Sequence, residues 1–228
     1  MSRAVEQTFV VGIDSATARA GDRDTIGGWP VLDAGQPVPE CDCGATMALY
    51  FQLEVPAEVP HFGGDQLLVF QCPVDSDASL DPEPQLPERY WDTPTGNQPR
   101  FWRILLQRAG TVAATRDPHF APRRLSLRPA IDREPDPRYS GPLQGFKVGG
   151  TPYWVQDAPE VRCACGSDMT FLCQVTEDFP FRKYLDPDRD GTVDCDGVED
   201  GLLLGNQVYI LACPAHCDPA AVVPICQN

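Results

Sequence analysis

Gly149-Gly150-Thr151-Pro152-Tyr153-Trp154, followed by Cys163-Ala164-Cys165-Gly166, decides the fold, because the chain carries this stretch twice. Gly27-Gly28-Trp29-Pro30 matches Gly149-Gly150-Thr151-Pro152 at an offset of 122, and Cys41-Asp42-Cys43-Gly44 matches Cys163-Ala164-Cys165-Gly166 at the same offset. Met47 with Met169, Phe51 with Cys173 and Gln52 with Gln174 keep that offset, without a gap across 26 positions. Further on, Leu67-Leu68-Val69-Phe70-Gln71-Cys72-Pro73 aligns with Val208-Tyr209-Ile210-Leu211-Ala212-Cys213-Pro214 at offset 141, so the second copy holds 19 extra residues between its cysteine pairs. Repeated matches at one spacing mark a single unit used twice.

Each unit has the same grammar. A Gly-Gly turn leads into an aromatic extended segment, then a cysteine knuckle whose glycine allows a positive φ. A strand follows (Met47–Leu53 or Met169–Val175), then a loop and a second strand ending in Cys-Pro. These runs are apolar, rich in β-branched and aromatic residues and bounded by Pro or Gly, and helical periodicity is poor elsewhere. The expected fold is therefore mainly β, with two pseudo-repeated units and a Pro-rich middle segment. Residues 1–99 form the first unit, 100–147 basic connecting strands, and 148–228 the second unit, all in one globule. Further strands are expected over Thr8–Ile13, Phe101–Arg108 and Arg123–Ile131. Tyr90 and Trp91 are expected to pin an acidic, Pro-rich crossing to the core.

The net charge of −15 is unevenly spread. Residues 1–99 carry 4 basic and 16 acidic side chains, residues 100–147 carry 10 and 4, and residues 148–228 carry 4 and 13. Such acidity disfavours nucleic acid and anionic membranes as partners and suits a basic protein. The arginines of the middle segment are expected to pair with the acidic flanking units. No apolar run is long enough to span a bilayer, and the first residues are too polar for a secretory signal, which predicts a cytoplasmic protein.

In a reducing compartment, paired thiols read as metal ligands rather than disulfides; in an exported chain the same residues would read as bridges. Cys163, Cys165, Cys213 and Cys217 supply two local pairs, as a structural zinc site requires, with His216 as an alternative to Cys217. Cys41, Cys43 and Cys72 repeat three of those positions, but Ser76 stands at the fourth. This set is a second zinc site completed by His61, Asp75 or Asp77, or a vestige of one. Asp186, Asp188, Asp190, Thr192 and Asp194 match the front of a calcium loop, although Gly197 occupies the place of the usual bidentate Glu. The alternative for that stretch is a hydrated acidic insertion. Cys173, Cys195 and Cys226 are expected to be unligated.

Lys147-Val148-Gly149-Gly150-Thr151-Pro152-Tyr153-Trp154, the Cys163–Gly166 knuckle, Met169, Phe171-Leu172 and Gln174 resemble the YwqG-like family of bacterial proteins of unknown function. Leu204–Ile210, Cys213 and the closing Gln227-Asn228 continue the likeness. The pattern is also similar to the N-terminal part of programmed cell death protein 2, in which the knuckle is C-x-x-C rather than C-x-C. That resemblance implies a dedicated chaperone of a basic ribosomal protein. The chain shows no G-x-S-x-G, phosphate loop or dinucleotide fingerprint. The expected function is thus a non-catalytic, zinc-stabilised binding or chaperone-like module. The alternatives are a metal enzyme using the incomplete Cys41/Cys43/Cys72 site and a calcium-stabilised structural protein.

Overall fold

The computed structural model describes residues 7–74, 84–92, 101–108, 110–112, 118–132, 143–177, 179–182 and 199–228. Among these the chain forms strands and no α-helix. In order they are β1 (Gln7–Thr17), β2 (Thr25–Ile26), β3 (Val31–Leu32), β4 (Ala48–Glu54), β5 (Gln66–Gln71), β6 (Trp102–Gln107), β7 (Thr111–Val112) and β8 (Arg123–Ile131). Then come β9 (Lys147–Gly149), β10 (Thr170–Val175), β11 (Phe181–Arg182), β12 (Glu199–Asp200), β13 (Gln207–Ala212) and β14 (Val222–Gln227). The mainly β expectation holds.

Ten of these strands make one antiparallel sheet in the order β14-β13-β10-β9-β1-β8-β2-β4-β5-β6. The sheet nearly closes on itself: its end strands β6 and β14 lie against each other, and the Leu106 N–H donates to the Pro219 carbonyl nearby at 2.8 Å. Pro224 sits within β14, an end strand, where a missing ladder donor is tolerated. β5 and β13 are buried along their whole length, which explains why they read as continuous apolar runs rather than alternating ones.

The repeat is visible in the sheet order. β2, β4, β5 and β6 in one half correspond to β9, β10, β13 and β14 in the other. The two opening strands have traded places. β1 pairs with β9 of the second unit, through Thr8 with Gly149 and Phe9 with Val148. β8 pairs with β2 of the first unit, through Thr25 with Arg124 and Ile26 with Arg123. β1 and β8 also pair with each other, with Val11 opposite Leu127, Gly12 opposite Ser126 and Ile13 opposite Leu125. Placing Val10 on Arg124, as these registers require, maps Gly12 onto Ser126, so a pseudo-two-fold axis passes through that pair. Residues 100–147 are therefore divided between the units: β6 closes the first, and β8 opens the second.

A row of aromatic rings binds the halves from inside. Phe51 contacts Phe146, which contacts Phe179, which contacts Phe181, and Phe181 meets Tyr50, with centroid separations of 4.8 to 5.2 Å. Three of the four pairs are edge-to-face, a geometry that adds to their buried area. Of the middle arginines, Arg124 pairs with an acidic side chain of the first unit as expected, whereas Arg123 and Arg103 turn to backbone carbonyls. Arg124 makes a two-pronged contact with Asp22, and Arg123 donates to the Asp14 carbonyl. Tyr90 is buried, and the Trp91 carbonyl accepts from Arg103.

Two buried glutamines at the repeat's offset position the Gly-Gly segments. Gln52 accepts from the Val31 N–H and donates to the carbonyls of Asp22 and Trp29. Gln174 accepts from the Tyr153 N–H and donates to the carbonyls of Leu143, Gln144 and Gly145. An amide alone among side chains of this size both donates and accepts at one tip. Gln174→Leu is expected to destabilise the chain by about 2–4 kcal/mol, because it strands buried backbone groups. The readout is a lower urea midpoint at unchanged slope. Gln174→Glu should do no better, since a carboxylate cannot donate to carbonyls.

Candidate metal centre

The two knuckles have the same backbone. The Cys41 N–H donates to the Ala45 carbonyl and the Cys163 N–H to the Ser167 carbonyl, both at 2.8 Å. The Gly44 N–H donates back to Cys41 and the Gly166 N–H to Cys163, again at 2.8 Å. Both glycines have left-handed backbones, with φ of 86° and 92°. A side chain there would be strained, which explains the glycine after each C-x-C.

In the second unit the knuckle precedes β10, and the other thiol pair lies on the turn between β13 and β14. β10 and β13 pair directly, which brings the turn over the knuckle. The Sγ atoms of Cys163, Cys165, Cys213 and Cys217 all lie within 4.8 Å of one another. Cys163 and Cys217 approach to 3.5 Å, as do Cys165 and Cys213. A tetrahedral zinc with bonds of about 2.3 Å sets its sulfurs about 3.8 Å apart. A disulfide needs about 2.05 Å. The cluster thus has the dimensions and donor set for one tetrahedral soft-metal ion. Such an ion would fill its four positions with these thiolates and hold the knuckle to the turn.

The environment splits the thiols. Burial pushes the Cys163 thiol up to about 11 and raises Cys217 further. Cys165 is drawn down to about 6, chiefly because the Ser167 hydroxyl, 3.4 Å from its sulfur, donates to the thiolate. In metal-stripped protein, Cys165 should be the first thiol alkylated by iodoacetamide, with a rate that rises through a midpoint near pH 6. Peptide mapping of the alkylated chain checks this. Cys173, fully enclosed in β10 and pushed up by burial alone, should stay unlabelled.

His216 does not substitute for Cys217. Its backbone is left-handed at φ 48°, and its ring stands outside the four-thiol group. Nε2 lies 2.7 Å from an Asp65 carboxylate oxygen of the first unit, and Phe62 packs edge-on against the ring. Arg108 Nε stands 3.2 Å from the other Asp65 oxygen, at ion-pair distance but outside hydrogen-bond angles. This link between the second unit's turn and the first unit's loop has no sequence signal, because Asp65 and His216 are 151 residues apart.

In the first unit, Cys41, Cys43 and Cys72 also bring their sulfurs within 4.8 Å, with Cys43 and Cys72 3.6 Å apart. His61 lies outside this group and faces Phe62. Asp75, Ser76 and Asp77 lie outside the described residues, as do Cys195 and the expected calcium ligands Asp186, Asp188, Asp190, Thr192 and Asp194. Cys226 lies in β14, away from both clusters. Among the described residues no helix is long and apolar enough to cross a membrane. The chain matches no protein-family model and no curated protein.

Proposed function

We propose that this is a non-catalytic, cytoplasmic, zinc-stabilised protein-binding module of the YwqG-like kind, which shields a basic client. The observation that carries the reading is the convergence of four thiols, two from each of two local segments, at tetrahedral zinc spacing. Four thiolates close the metal's coordination and suit it to holding structure rather than activating water. The net charge of −15 gives a basic protein an attractive surface. The resemblance to programmed cell death protein 2 names the class of client, a basic ribosomal protein.

The test has two arms. Elemental mass spectrometry on protein purified without added metal should find zinc, and Cys163→Ser should remove at least one equivalent. Affinity capture from a ribosomal-protein mixture at moderate salt should then retain a basic protein, and release it as salt rises. Zinc without a retained client keeps the clamp and removes the binding role. Sulfurs oxidised in pairs with no zinc remove both.

A further inference from the structure

The two thiol clusters are alike in backbone and unlike in completeness. The first knuckle keeps the three hydrogen bonds that shape the second. These run from Cys41 to Ala45, from Gly44 to Cys41 and from Met47 to Pro39, and their lengths agree with the second set to 0.1 Å. Its thiols keep the same spacing, 3.6 Å for Cys43 and Cys72 against 3.5 Å for Cys165 and Cys213. The Val74 N–H adds a contact of 3.4 Å to the Cys72 sulfur, of the kind that supports a metal-bound thiolate. Cys41 and Cys72 are buried and Cys43 is exposed, so the cluster opens to solvent on one side. The fourth corner differs: the repeat position of Cys217 is Ser76, and among the described residues no fourth thiol joins the group.

We infer that Cys41, Cys43 and Cys72 form a second zinc site, with three thiolate ligands and an exchangeable fourth position open to a sulfur donor from outside the chain. This site differs in kind from the closed four-thiolate clamp. Three thiolates hold zinc firmly enough for occupancy. The fourth ligand, water or another oxygen at rest, leaves readily and gives an incoming thiol a direct bond to the metal. A small thiol or a cysteine of a bound protein is the ligand class that fits.

Zinc-loaded full-length chain, mixed with a chromophoric chelator, should release two equivalents in two phases. Changes in supporting groups alone alter metal affinity by 10–100-fold, so a missing ligand should make the first phase at least about a hundredfold faster. Cys43→Ser, at an exposed position, should abolish the fast phase and leave the slow one. Ser76→Cys, which restores the repeat's fourth thiol, should slow the fast phase towards the other. In cobalt-loaded protein a small thiol should shift the visible ligand-field bands, and Cys43→Ser should remove the response. A single equivalent in the wild type, two equivalents released at one rate, or cobalt bands indifferent to thiol would each overturn the assignment.

Discussion

With zinc held by the Cys163/Cys165/Cys213/Cys217 cluster as proposed, stripping it should lower the melting temperature by about 8–16 °C. Zinc at a thousandfold excess over its dissociation constant stabilises the folded state by about 4 kcal/mol, and each kcal/mol moves the midpoint of a chain this size by roughly 2–4 °C. The contribution is local in origin and wide in reach. The cluster fastens the knuckle before β10 to the turn before β14. The same turn carries His216 to Asp65 and Pro219 to Leu106, so releasing it loosens the seam where the sheet closes. Differential scanning calorimetry with and without a zinc-selective chelator reads the shift. Zinc should restore the original midpoint and calcium should not. An unchanged midpoint after verified metal removal would sink the structural role of the cluster.

Asp132→Ala should cost about 3–5 kcal/mol, because it leaves a buried ammonium without its counter-charge. Lys147 and Asp132 are both essentially sealed from solvent, with Nζ and Oδ2 2.7 Å apart. The carboxylate also accepts from the backbone N–H groups of Thr151 and Leu143, at 2.9 and 3.0 Å, and Lys147 donates to the Thr151 carbonyl. One ion pair therefore holds both ends of the Gly149-Gly150 turn. Lys147→Met together with Asp132→Leu should recover part of the loss, since removing both charges ends the desolvation cost. Recovery should stop short of wild type, because Thr151 and Leu143 still lose their acceptor. Gly150→Ala should approach the single charge variant: φ is 73°, and a Cβ would fall 2.2 Å from Asp132 Oδ2 and 2.7 Å from Thr8 Cβ. Chemical denaturation of the three variants beside the wild type checks the series. A full rescue by the double variant would mean that the carboxylate's backbone contacts contribute nothing.

The parts legible in the sequence were those repeated at a fixed offset. The offsets of 122 and 141 placed β4 against β10 and β5 against β13. They also grouped the seven clustered cysteines as the structure groups them, because those residues lie in segments whose chemistry was kept in both copies. The exchange of β1 and β8 was not legible. The two strands correspond at a different offset, 114, at which Gly12 falls on Ser126 and Val11 on Leu125, and the single identity, Ala16 on Ala130, is too little to reveal it. Strand pairing depends on register with a distant partner, which a local pattern does not encode. The same limit hid β14: Val222–Gln227 contains Pro224, and a proline argues against a strand until the strand is known to be an end one. The burial of Lys147 follows only from its pairing with Asp132, which the sequence leaves in an unremarkable stretch.

The exchange of opening strands also sets a timetable for synthesis. β1 leaves the ribosome before the other described strands, yet its neighbours are β8 and β9, whose residues begin at Arg123 and Lys147. At roughly 5–20 residues per second, β1 waits several seconds with both edges unpaired. The first unit cannot be completed before β8 arrives to lie beside β2. Two nascent copies on one messenger, each with a waiting β1, could pair with each other's later strands by the contacts that later close one chain. Crowded translation should therefore favour entangled dimers, and slow, dilute synthesis should favour the monomer.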